Sequence, residues 1–189
     1  MSIEKMPHYS QSKVSKGRFE PVHQNLFEVS FIPPSGLTWG DAGALLLEHV
    51  NTVSGLQGVN PAVDAVTQKF KWADRSYAGM PSQTYVEIGI EFSMNLNEAN
   101  QAYTYQILRD WYRLTYDPDT GYAGIKKDYS GDIIIVQYNR NGDIYRQLNF
   151  FHAFPQEPPQ ALDGLDYSSS DPQTASMTFR SDWYEEILT

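Results

Sequence analysis

Glu87 and Glu91 in "YVEIGIEFSMN" stand four residues apart, and two carboxylates on one face are the minimal equipment of a glycoside hydrolase. Strand alternation offers a plainer account, because it places acids on solvent faces routinely. "DPDTG", followed by Asp128 eleven residues after Asp117, has the outline of a calcium loop. Tyr122 occupies the position that loop reserves for glycine, however, and Asp128 stands where a bidentate glutamate is needed. A helix-terminating turn accounts for the stretch better. His8, His23, His49 and His152 have no paired ligand spacing and read as structural or surface residues. Trp39, Trp72, Trp111 and Trp183 could form a sugar-stacking platform, but their dispersion favours core or interface roles. With no glycine-rich phosphate loop and no nucleophile elbow, nothing supports catalysis, and no cofactor is expected.

Composition narrows the class further. A chain of 189 residues is long enough for one domain with a real core, and 41% hydrophobic content with 20% charge argues against wholesale disorder. The absence of cysteine removes disulfides, thiolate catalysis and cysteine–zinc sites together. No apolar run approaches the roughly 18 residues of a membrane span, and the N-terminus lacks the apolar core of a signal peptide. A soluble intracellular protein without a membrane anchor is the default expectation, shared by virion and secretion-machine proteins. A formal net charge of −9 speaks against a conventional nucleic-acid binder. The charge is also uneven: four Lys or Arg against two Glu in residues 1–25, and seven acids against Arg180 alone in residues 155–189. Such asymmetry suits a solvated tail or head-to-tail self-association.

The elements that would position these residues are mostly strands. After a polar arm over residues 1–24, "NLFEVSFI" alternates Phe27, Val29 and Phe31 against Glu28 and Ser30. "ALLLEHVNTV" fits a strand or a short helix, with a β-branched end that favours strand. "VTQKFKWA" alternates within the turn-rich region 54–83 and suggests a strand pair with long exposed ends, in preference to a compact hairpin. In "YVEIGIEFSMN", Val86, Ile88, Ile90, Phe92 and Met94 share one face and the two glutamates the other. The spacing over 95–117 predicts one helix, with Asn97 and Glu98 at its start and a stripe of Tyr103, Ile107, Trp111 and Leu114, flanked by Thr104 and Leu108. "GDIIIVQYNRNGDIYRQLNFF" reads as a hairpin about Asn141-Gly142. A loop containing Leu162 and Leu165 leads to a last alternating strand, "TASMTFRSDWY".

Three pieces in this order resemble the tail-tube proteins of contractile-tailed bacteriophages. They are "NLFEVSF" after a polar arm, the strand-to-helix run "VEIGIEFSMNLNEANQAYTYQILRDWY", and the ending "NFFHAFPQEPPQALDGLDYSSSDPQTASMTFRSDWYEE". The hairpin at "GDIIIVQYNRNGDIYRQ" is similar to the family's central one. The resemblance covers most of residues 25–187. It implies a mainly β fold, a barrel or sandwich of two antiparallel sheets with one flanking helix and long loops, in a single domain over residues 25–189.

The resemblance further implies homohexameric rings that stack into a hollow virion tube, assembled in the host cytoplasm. Sheath, baseplate and tape-measure proteins would be its partners, and DNA would pass through without sequence-specific binding. On that plan Glu87 and Glu91 face the lumen, where an acidic wall repels phosphates. Lys69, Lys71 and Arg75 belong to a ring-stacking loop, while Tyr103, Ile107, Trp111 and Leu114 pack the helix on the sheet. A tube protein of a contractile secretion or bacteriocin device, a baseplate tube initiator and a carbohydrate-binding sandwich are the alternatives.

Overall fold

The computed structural model describes residues 22–39, 46–56, 59, 63–80, 85–95, 104–161, 168 and 171–189. Asn97, Glu98, Tyr103, Leu162, Leu165 and most of the N-terminal arm lie outside them. Strands β1 (Phe27–Ile32), β2 (Val50–Ser54), β3 (Ala65–Lys69), β4 (Asp74–Ala78) and β5 (Val86–Ser93) precede helix α1 (Thr104–Thr115). The short pair β6 (Tyr116–Asp117) and β7 (Tyr122–Ala123) and the helical turn α2 (Lys126–Tyr129) follow. The chain ends with β8 (Gly131–Tyr138), β9 (Ile144–Pro155), β10 (Thr174–Ser181) and β11 (Trp183–Leu188).

Seven strands form one antiparallel system in the order β1-β8-β9-β10-β5-β2, with β11 also on β9. It is a sandwich, not a closed barrel, because β9 serves two sheets. Residues 144–153 of β9 pair with β8 across a bulge, and residues 146–151 with β11. Phe154 and Pro155 pair with β10. The first sheet is therefore β1-β8-β9-β11 and the second β9-β10-β5-β2.

A strand crosses between sheets only by bending, and β9 bends at a bulge. Gly131 opposes Ala153 and Ile133 opposes Phe150, so two steps on β8 meet three on β9. The extra residue falls at His152, whose φ of 54° is the only positive value among described non-glycine residues. Such a backbone costs a side chain about 1–2 kcal/mol. The Asp132 carboxylate holds the bend by accepting the His152 backbone N–H at 2.9 Å. Gly131 sits below it because a Cβ there would run into the Ile32 carbonyl.

The C-terminal strand makes the same crossing. One alternating strand through Trp183 was expected; instead β10 pairs with β5 as far as Ser181, and β11 starts on β9 at Trp183. Ser181 is fully buried, and its hydroxyl lies 2.8 Å from the carbonyl oxygens of both Phe151 and Trp183. The ring of Trp183 stacks on Phe151 at 4.5 Å.

Between the sheets lie Val29, Phe31, Ile133, Ile135, Leu148 and Phe150 from the first, and Val86, Ile88, Ile90, Phe92, Met177 and Phe179 from the second. Phe31 bridges them, 5.9 Å from Phe92 and 6.2 Å from Phe179. The "ALLLEHVNTV" stretch divides into a helical turn at 46–48, with Leu46 fully buried, and strand β2. The β8–β9 connection spans residues 139–143: Gly142 takes φ 88°, and the Asn139 side-chain oxygen accepts the N–H groups of Asn141 and Asp143. Replacing His152 with glycine relieves the strained backbone but adds about 0.5–1 kcal/mol of chain entropy. Urea unfolding is expected to show His152→Gly neutral or up to about 1 kcal/mol more stable, and Asp132→Ala about 1–3 kcal/mol less stable.

Candidate assembly surfaces

The outer face of the second sheet is built from the alternate positions of β5, β10 and β2. Because Val86, Ile88, Ile90 and Phe92 turn inward, Glu87, Gly89, Glu91 and Ser93 turn out. Ser176, Thr178 and Arg180 stand beside them in register on β10. Short polar side chains knit the surface. Thr52 donates to Glu91 at 3.1 Å, Ser54 to the Gly89 carbonyl at 3.1 Å, and Ser93 to Asn51 at 2.8 Å. Glu87 faces Arg180 in register, while the guanidinium stacks 3.2 Å from the centre of the Tyr85 ring. The wall is polar and rich in hydroxyls, and it carries both signs of charge.

The outer face of the first sheet differs. Ile32, Ile134, Val136, Phe151, Trp183 and Ile187 all occupy outward positions there, with Ile32, Trp183 and Ile187 each more than 40% exposed. Its charged residues are Glu28, Asp132 and Glu185. The cation of these strands, Arg146, lies on the inward parity and pairs with Glu186 at 2.6 Å. Glu28 accepts the Tyr138 hydroxyl at 2.7 Å, and that bond to a carboxylate raises the phenol above its ordinary pKa.

Strands β3 and β4 form a third surface. They make a compact hairpin closed by Phe70 N–H to the Ala73 carbonyl at 2.9 Å, in place of the long-ended pair that the alternation suggested. The chain reverses at Lys71-Trp72, where the ammonium lies 5.4 Å from the indole centre. All ten strand residues are exposed. Cross-strand register puts Val66 with Tyr77 and Gln68 with Arg75 on one face, and Arg75 lies 5.8 Å from the Phe70 ring. The opposite face holds Thr67, Ser76, Lys69 and Asp74. Lys69, Lys71 and Arg75 thus gather on one projecting element.

Helix α1 buries Thr104, Ile107, Leu108 and Trp111. Trp111 touches both sheets, with its ring centre 6.5 Å from Phe31 and 5.0 Å from Phe179. Its Nε1–H donates to the Tyr129 carbonyl at 2.8 Å, tying the helix to α2. Leu114 is half-buried, beside Gly36 in the loop after β1.

The four tryptophans do not form one platform. Trp39 and Trp111 are in contact within the core, Trp72 is 88% exposed on the hairpin turn, and Trp183 lies on β11. Among the described residues no three His, Asp or Glu side chains converge as a metal site, and no helix is long and apolar enough to cross a membrane. Asp117 is engaged within its own turn. It accepts the Thr120 hydroxyl at 2.7 Å and the Asp119 N–H at 3.2 Å, which with nearby Arg113 hold its carboxyl below the usual 3.8.

No protein-family model and no curated protein sequence matches the chain. Solved structures do. A chain of the sheath–tube complex of PVC, an extracellular contractile injection system in its extended state, superposes with a TM-score of 0.54 and 18% identity, over 96% of this chain and 99% of that one. The tube-terminating cap of the anti-feeding prophage superposes with a TM-score of 0.57 and 15% identity, over 90% and 93%. A chain of the same prophage's baseplate gives 0.52 and 12%, over 90% and 97%. The fold is one used by the tube, cap and baseplate assemblies of contractile injection devices. This chain carries that fold over nearly its whole length.

The sequence reading gave His152 a structural or surface role but missed the bulge it makes, and it missed Asp132 and Ser181. A bulge residue has no compositional mark, and the one trace of the corner was the interruption of alternation at Ser181-Asp182. Because Asp117 is held below 3.8, its charged form favours the ordered turn above that pH, and the benefit fades as pH falls through the lowered value. A carboxyl NMR titration is expected to show Thr120→Ala moving the Asp117 midpoint upward.

Proposed function

We propose that this protein is a structural subunit of the tube of a contractile device, forming six-membered rings that stack into a hollow conduit. The observation that carries this is the superposition on a chain of a sheath–tube complex over 96% of this chain and 99% of that one. The edges suit the role. Strands β1 and β2 end the strand order, and β11 pairs with β9 alone, so neighbours can extend the sheets by strand addition. Sheath and baseplate proteins are the partners that go with such a tube.

The polar outer face of the second sheet is the surface suited to line the bore. Its hydroxyls and the carboxylates of Glu87 and Glu91 keep a wall hydrated and non-adhesive. The apolar outer face of the first sheet would be a poor lining. The β3–β4 hairpin, with Lys69, Lys71 and Arg75, projects as a contact between stacked rings. The cargo of the leading reading is the DNA of a phage, repelled by the two glutamates on its passage to the host. A second reading, a device that carries protein, is favoured by Arg180 in the register of Glu87, which makes the wall mixed in charge.

Purified protein is expected to show rings or hollow tubes in negative-stain electron micrographs, whereas a strictly monomeric species at high concentration would remove the proposal. In such tubes Glu87→Lys with Glu91→Lys is expected to leave assembly intact while the lumen retains added DNA at low salt, releasing it as salt rises. Unchanged DNA retention would mean that these side chains do not face the bore.

A further inference from the structure

Three surfaces stand apart from the polar wall: the cleft at the sandwich corner beside Lys126 and His152, the groove between β1 and β2, and the apolar outer face of the first sheet. The third has a candidate occupant within this same chain.

The β3–β4 hairpin is a two-stranded ribbon with one apolar face, and such a ribbon is marginal in water unless something covers it. Its own sandwich does not, since every strand residue is exposed. Val66, Phe70 and Tyr77 are each about half exposed and Trp72 is 88% exposed. The first sheet presents the complementary problem, with Ile134, Val136, Trp183 stacked on Phe151, and Ile187 outward around the hydrogen-bonded Gln147 and Asn149. Charge matches as well. The tip and apolar face of the hairpin carry Lys71 and Arg75 against Asp64, with Lys69 and Asp74 on the opposite face, whereas the sheet face carries Glu28, Asp132 and Glu185 and no outward cation. The second sheet's outer face offers little apolar surface and places Arg180 in the way.

We infer that the hairpin of one copy docks on the outer face of the first sheet of a second copy, with Phe70, Trp72 and Tyr77 covering the Phe151–Trp183–Ile187 surface. Lys71 and its neighbours then meet Glu185 and Glu28. A five-residue strand at about 3.3 Å per residue reaches about 17 Å, enough to cross three or four neighbouring strands of a partner sheet. This inference rests on the tube reading, because it specifies where the projecting hairpin lands.

The lack of native cysteine makes the test direct. Full-length Gln68→Cys/Asn149→Cys, which keeps the docking residues and places one thiol beside each half of the contact, is assembled, treated with a short bismaleimide and run on a denaturing gel, beside Gln68→Cys/Thr178→Cys as the second-sheet control. Each change lies on an exposed or half-exposed strand position, so the fold is kept. The first variant is expected to give a ladder of covalent oligomers and the control monomer alone. In parallel, Lys71→Glu or Glu185→Lys alone should reduce the sedimenting assembly about tenfold, and the two together should restore it. Tubes visible by electron microscopy but without the ladder, or with one from Thr178, would overturn the docking and leave the tube reading standing. A chain that never assembles would overturn the tube reading and the docking with it.

Discussion

One strand has to satisfy two sheets. A β-strand presents one row of hydrogen-bonding groups to each side, and it can serve two differently oriented sheets only where its backbone turns. In β9 the turn lies at Phe151–His152, and the structure accepts a left-handed backbone at a histidine to make it. Asp132 secures the bend from β8, while Ser181 reaches Phe151 from the start of the second crossing. With that corner in place, the inward faces of the two sheets meet, and Phe31 packs on Phe92 and Phe179. Without it, β10 and β11 would continue as one strand in one sheet and leave an apolar face uncovered.

The helix completes the same arrangement from another direction. Trp111 reaches Phe31 on the first sheet and Phe179 on the second, so it acts as a wedge between them more than as a cover over either. Its indole N–H is satisfied by the Tyr129 carbonyl, so the wedge itself brings no unpaired donor into the core. The close approach of Gly131 to the Trp111 ring joins wedge and corner in one packing unit.

This construction leaves a molecule with two unlike outer faces and one projection. The second sheet is coated with serine, threonine, glutamate and arginine. The first carries aliphatic and aromatic side chains among carboxylates, and the hairpin carries its apolar residues away from the body. An exposed ribbon bearing Phe70, Trp72 and Tyr77 is apolar surface of the kind that marks interaction sites. Free strand edges and exposed aromatic residues are liabilities in a monomer and joints in an assembly. The likeness of this fold to chains of contractile injection assemblies gives that reasoning a concrete setting.

Local pattern was enough for what depends on local physics. The period-two alternation in "VEIGIEF" separated the core residues of β5 from Glu87 and Glu91, and the three- and four-residue spacing of Ile107, Trp111 and Leu114 marked the helix. Asn141-Gly142 announced the reversal between β8 and β9, because few other residues accept that backbone. Tertiary structure alone decided which sheet each strand joined. In "TASMTFRSDWY" the break in alternation at Ser181-Asp182 marks an irregularity but not a change of pairing partner, since pairing is a contact between distant segments. The hairpin tip at Lys71-Trp72 was hidden for a related reason: alternation continued through it, and only the register Lys69 to Asp74 reveals the turn. His152 shows the limit most clearly. A side chain there pays a conformational penalty that its sequence neighbours do not explain, and only the distant Asp132 carboxylate and the two sheets it joins supply the compensation.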